Sequence, residues 1–184
     1  MSDQIPADML AVRLSGTGLE HVSLDRVPVP EVGPGQLLCR VDAAGVCTSN
    51  LKLISQGSSH SLVNGWDMTR FPLTLGEEAA ITVVKVGEEL QGRYAVGQRF
   101  AIQPAVDLRP ITHRERYNNN AEGMTKAAVG YTLGGMLAEY FLVPDEVMAG
   151  GCLIPLPSDD IPHFAVSLAE PMACAHKAQE QHVH

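Results

Sequence analysis

The chain has 184 residues, 45% of them hydrophobic and 18% charged. This composition is globular and fits one domain, or one domain plus a fragment, and it excludes disorder as the main state. Acidic residues outnumber basic ones 21 to 13, a net charge of −8, which leaves no basic surface for a nucleic acid partner.

Seventeen glycines and twelve prolines imply many turns and few long helices, so a helix bundle is not expected. The start, Met1-Ser2-Asp3-Gln4, is polar and lacks the cationic and apolar regions of a secretory leader. No apolar run approaches the ~20 residues that span a bilayer, so no membrane partner is expected. Cys39, Cys47, Cys152 and Cys174 form no C-x-x-C pair. Free thiols in a cytoplasmic chain are the expectation.

In chain order, residues 9–14 and 21–27 are predicted as short strands around a Gly16-Thr17-Gly18 turn. The segment 27–35 holds Pro28, Pro30 and Pro34, so it is expected as a connector or sheet edge. A strand follows over 36–43, then a helical turn within 47–54 and a surface loop over 55–71. The β-branched run 79–86 is a strand ending at Gly87, and 96–103 is another. The stretch 104–132 contains Pro104, Pro110, three asparagines at 118–120 and the charged run His113-Arg114-Glu115-Arg116. It is expected as a long loop or excursion. Gly134-Gly135 introduces a strand over 136–143, and 152–157 is a short strand. Residues 159–162 resemble a helix start. The Ala-rich stretch 163–184 is helix-compatible, broken or restarted by Pro171. The sum is a mainly β body over about 5–157, a barrel or sandwich, with a helical segment after it.

Three segments could carry chemistry. In Gly45-Val46-Cys47-Thr48-Ser49-Asn50 a thiol lies in a turn beside two hydroxyls and an amide. Cys47 reads either as a metal thiolate or nucleophile, with Ser49 passing a proton, or as a small buried hydrophobe. Glu77 and Glu78 precede a strand. In extended backbone they face opposite sides, so both reach one site only if the chain bends at Gly76; otherwise they are a solvated acidic turn. Glu170 lies among apolar residues in Ser167-Leu168-Ala169-Glu170-Pro171, where it needs a cation or donors, or else caps a helix. The histidines carry little weight: His113 sits in a charged run, and among His176, His182 and His184 near the C-terminus the spacing from 176 to 182 does not match a helical face. The chain has no P-loop, no G-x-S-x-G elbow and no complete G-x-G-x-x-G fingerprint.

The order of these motifs resembles the zinc-dependent medium-chain dehydrogenase/reductases. The carriers are Gly45-Val46-Cys47, Leu75-Gly76-Glu77-Glu78, Val86-Gly87-Glu88, Val96-Gly97-Gln98-Arg99, the 135–140 segment and Ala169-Glu170-Pro171. Segments 100–105, 143–148 and 167–172 are most similar to the L-sorbose-1-phosphate reductase members. The resemblance covers about 9–184. It implies a GroES-like β-barrel acting as the catalytic domain of an NAD(P)-dependent alcohol, polyol or sugar-phosphate dehydrogenase. By the same resemblance, Cys47 would be the thiolate ligand of a catalytic Zn2+ and Glu170 the acidic ligand. Glu78 would stand beside the metal, Ser49 would relay the alcohol proton, and Asn50 would replace the usual second-sphere Asp. A metal held there would polarise a substrate oxygen.

Three departures qualify these implications. The family reads Gly-His-Glu where this chain has Gly76-Glu77-Glu78, so Glu77 offers a carboxylate in place of an imidazole. A Cys47/Glu77/Glu78/Glu170 set still suits a divalent ion, but its extra negative charge weakens the ion's Lewis acidity. The four-cysteine lobe of many members has no counterpart in 104–130, so no structural zinc is expected. Residues 1–157 are expected to be the catalytic domain, with 158–184 leading toward a nucleotide-binding Rossmann domain that these residues do not include. NAD(P) binding, and turnover, would then belong to a longer parent protein. The other reading is a stand-alone or degenerate GroES-like module with a binding or structural role. A homo-oligomer is compatible with either, through apolar surface around 153–175.

Overall fold

The computed structural model describes residues 4–107 and 113–181. Its strands are β1 (Asp8–Leu14), β2 (Val22–Pro28), β3 (Leu37–Ala44), β4 (Leu73–Thr74), β5 (Ala79–Val86), β6 (Arg99–Ile102), β7 (Ala105–Val106), β8 (Ala127–Ala128), β9 (Tyr140–Leu142) and β10 (Leu153–Pro155). Its helices are α1 (Thr48–Gln56), α2 (Asp145–Ala149), α3 (His163–Ser167) and α4 (Ala169–Gln181). No helix among the described residues is long and apolar enough to cross a membrane.

All strand pairing is antiparallel. One sheet runs β2-β1-β4, a second β10-β6-β5-β3-β9, and β7 and β8 pair alone. The segment before and through β9 joins the two larger sheets. Val12 N donates to Leu137 O at 2.8 Å and Glu139 N to Leu10 O at 3.1 Å on the β1 side, while Val41 N donates to Glu139 O at 3.0 Å on the β3 side. The result is one curved wall wrapped on a β core, the mainly β body with a helical tail that the sequence predicts. The Pro-rich connector also lies as expected: Pro28 ends β2, an edge strand, where a missing amide costs no ladder bond.

One segment corrects the sequence reading, and a second is the expected excursion but closely packed. Residues 55–71 are not a surface loop. Val63, Trp66 and Met68 are buried in the larger core cluster, and the Trp66 indole N–H donates to Phe71 O at 2.7 Å. The excursion at 104–132 is also built into the fold, through the β7–β8 pair and the buried Tyr117, Ala121 and Met124. Trp66 meets the Tyr117 ring edge-on at 5.0 Å. Apolar residues at irregular spacing among Asn and Arg give no period to read, yet they bury as well as a regular stripe. Pro110, within that excursion, lies outside the described residues.

The helical tail differs in one detail. The chain breaks at Leu168, between α3 and α4, and Pro171 falls in the first turn of α4. A proline there removes an amide that has no intrahelical partner, so the helix continues through it.

Candidate metal centre

The register of β3 on β5 builds the site. Ala44 pairs with Ala79 at the end of the ladder, and Gly45 N donates to Glu78 O at 2.8 Å one step beyond. Residues leaving β3 therefore lie beside residues entering β5. Cys47 follows at the N-cap of α1. A Cβ at Gly45 would stand 2.4 Å from Glu78 Oε2, so any side chain there would displace that carboxylate. Gly76 holds φ at +98°, a region L side chains avoid, and its Cβ would meet the Leu137 amide nitrogen at 2.4 Å. This turn is the bend the sequence reading requires at the paired glutamates.

Cys47, Glu77 and Glu78 each offer a donor atom, all within 4.8 Å of one another. Glu77 and Glu78 are buried, at 8% and 5% exposure, and Cys47 is half-buried. Glu170, half-buried in the first turn of α4, is not one of that triplet. Its charge acts on Glu78, and its Oε1 accepts from Cys174 Sγ at 3.2 Å. Ser49 Oγ donates to Glu77 Oε1, and the buried Asn50 donates from Nδ2 to Ser49 Oγ at 3.2 Å. The structure thus brings Cys47, Ser49, Asn50, Glu77 and Glu78 together around one corner, with Glu170 beside it. His113 is exposed beside Glu115 at 3.5 Å, and His176 is exposed beside Glu180 at 3.6 Å. His182 and His184 lie outside the described residues.

Two neighbours have no signal in the sequence. Tyr131 is buried, with its hydroxyl meeting Ser49 and feeling the charge of Glu77, and the His60 ring lies against its ring at 5.1 Å. Tyr131 arrives because Gly130, at φ +80°, crosses Gly76 so closely that a Cβ would stand 2.7 Å from Gly76 O. A close crossing of two backbones leaves only an isolated glycine in the sequence.

The electrostatics come from crowding acids in a dry corner. Burial raises the Glu78 carboxyl above its usual range. A hydrogen bond with Cys47 works against the shift, and the charges of Glu170 and Glu77 add to it. Burial and then the Glu77 charge push Tyr131 up to about 12. Burial lowers the His60 imidazole, with Lys52 adding to the effect and Glu77 opposing it.

These residues suit a divalent ion. Glu78 Oε1 is buried and has no hydrogen-bond partner among the described residues, and a buried acceptor of this kind calls for a cation or a proton. Zinc accepts thiolate and carboxylate donors in small sets, and catalytic sites keep a position open.

The alcohol dehydrogenase GroES-like domain profile matches residues 33–157. Protein YggP of Escherichia coli (strain K12) is 33% identical over 168 residues, covering 91% of this chain and 36% of that protein. The L-sorbose 1-phosphate reductase of Klebsiella pneumoniae is 30% identical over 169 residues, covering 89% of this chain and 36% of that protein. Among solved structures, 2R,3R-butanediol dehydrogenase from Bacillus subtilis superposes with a TM-score of 0.71 at 26% identity, over 94% of this chain and 47% of that one. The chain thus spans about a third of the length of the Escherichia and Klebsiella relatives.

Proposed function

Because the chain belongs to the alcohol dehydrogenase GroES-like domain family, we propose that it is the metal-binding catalytic domain of an NAD(P)-dependent dehydrogenase acting on a polyol or sugar phosphate. Cys47, Glu77, Glu78 and Glu170 are the metal donors in this reading, and Ser49 moves the substrate proton. The observation that carries it is the meeting of Cys47, Glu77 and Glu78 within 4.8 Å, built by strand register from distant parts of the sequence. The substrate class is suggested by the sugar-phosphate and diol names of the two relatives of known activity.

When bound, a divalent ion supplies Lewis-acid polarisation of a substrate oxygen. The chain's own residues do the rest. Gly45 makes room for Glu78, Ser49 holds Glu77 by its hydroxyl, and Asn50 holds Ser49. The site is assigned to a catalytic unit over 1–157, with 158–184 as a helical lead toward a nucleotide-binding domain. Nicotinamide binding is no part of the role assigned to these residues, and the isolated chain is expected to be inactive. Cytoplasmic residence belongs to the same proposal. So does self-association through the 153–175 face, where Phe164, Leu168 and Met172 are exposed; a monodisperse monomer in light scattering would count against it.

The deciding experiment is elemental analysis of the purified chain. The reading expects about one divalent ion per chain, lost in Cys47→Ala. The competing reading, a GroES-like module without redox chemistry, draws on Glu77 standing where the family has an imidazole. A metal-free protein indifferent to chelators would establish it.

A further inference from the structure

On the outer face of the five-stranded sheet lies a second polar cluster. Asp42 on β3 accepts from Thr82 Oγ1 on β5 and from Arg40 Nε at 2.7 Å. His163, the first residue of α3, places Nδ1 3.6 Å from Asp42 Oδ2. Arg99, at the start of β6, donates from Nη1 to Asp159 O at 2.5 Å and from Nη2 to Ile161 O at 2.7 Å. Its Nη2 also lies 3.0 Å from His163 Nδ1. One guanidinium therefore grips two carbonyls of the turn before α3 and touches the first residue of the helix. Beside this grip, Val166 of α3 buries against Ala80 and Ala101, whose small side chains let the helix approach the sheet.

The seat of α3 also sets the place of α4. That helix starts at Ala169, directly after the Leu168 cap of α3, and Met172 N donates back to Leu168 O at 3.1 Å. Glu170 is the second residue of α4. α4 itself has no buried residue, and the other group it brings to the site is the Cys174 thiol, which donates to Glu170 Oε1. The position of Glu170 against Glu78 is thus inherited from the docking of α3.

We propose that Arg99 is a positioning residue for the metal centre, holding the 159–163 turn on the sheet so that Glu170 stands beside Glu78. The proposal rests on the reading of Cys47, Glu77, Glu78 and Glu170 as metal donors. A guanidinium suits the task because its planar fork holds several carbonyl acceptors in one fixed geometry.

The test is a double-mutant cycle on the full 184-residue chain, read as Zn2+ affinity by competition with a chromophoric chelator. Arg99→Gln is expected to weaken zinc about 10–100-fold, the range for residues that orient a ligand. In a Glu170→Gln background it is expected to add nothing, because its route of action has gone. A merely structural role would instead weaken zinc in both backgrounds alike. Trp66 emission, which reports on the other core cluster, shows whether each variant is folded. If Arg99→Gln does not fold, His163→Ala tests the same contact at its exposed end and is expected to show the same dependence on Glu170. Zinc affinity unchanged in Arg99→Gln, or losses that add fully in the double variant, overturns the proposal. Wild-type affinity in Glu170→Gln overturns it as well, while leaving Cys47-dependent zinc binding intact. No Cys47-dependent zinc in the wild-type chain overturns the donor reading and this proposal together.

Discussion

Ser49 Oγ donates its hydrogen to Glu77 Oε1, so the hydroxyl and the carboxylate form one unit. The pair joins the first turn of α1 to the turn ahead of β5. It gives the carboxylate that replaces the family's imidazole a fixed orientation, as a second-sphere partner does for a metal-bound histidine.

Ser49→Ala removes that orienting bond and leaves Asn50 Nδ2 without its acceptor on Ser49. Metal affinity is expected to fall about 10–100-fold, measured by chelator competition. The fold is expected to survive, since Ser49 is only half-buried. Affinity equal to wild type would mean that Glu77 is held without the hydroxyl.

Gly45→Ala tests the site from the backbone side. The added Cβ would stand 2.4 Å from Glu78 Oε2 and 3.3 Å from Glu78 Cβ, so Glu78 must move. The expected cost in stability is that of overpacking, about 1–3 kcal/mol, read by urea denaturation. Metal binding should suffer more than stability, because displacement of one carboxylate breaks the 4.8 Å triplet. A variant with wild-type metal affinity would show that Glu78 is not a donor.

Much of this is legible in the sequence, and the limits have physical causes. The strand at 79–86 coincides with β5, and Cys47, Glu77 and Glu78 lie within 4.8 Å of one another, because a β-branched run and the order of short motifs are local signals. The roles of Tyr131 and Arg99 are not legible. Each depends on a contact between distant backbones, at Gly130 over Gly76 and at β6 beside the turn before α3, and such contacts leave no period behind. The segment around Trp66 looks like a surface loop for a related reason: its apolar residues have no regular spacing. Its burial has a direct consequence. Trp66→Ala is expected to cost about 3–5 kcal/mol, as for a buried aromatic in a core, against under ~0.5 kcal/mol for a surface position. Chemical denaturation distinguishes the two.

The raised Glu78 carboxyl makes a prediction about pH. In the metal-free protein, burial lifts its folded pKa above the unfolded value of about 4.3. A group with a raised folded pKa contributes stability that is fully present below the unfolded pKa and is lost as pH rises through the folded pKa. As pH rises and Glu78 ionises in its buried site, it therefore destabilises the fold, and Glu78→Gln removes that burden. The variant is expected to melt above wild type near pH 7, with the gap closing as pH falls toward about 4.3. Thermal melts of both proteins in chelator across this range check it, and a gap that does not change with pH would contradict it. With zinc present the order is expected to reverse at neutral pH. The ion needs the deprotonated carboxylate, and it stabilises only the protein that binds it.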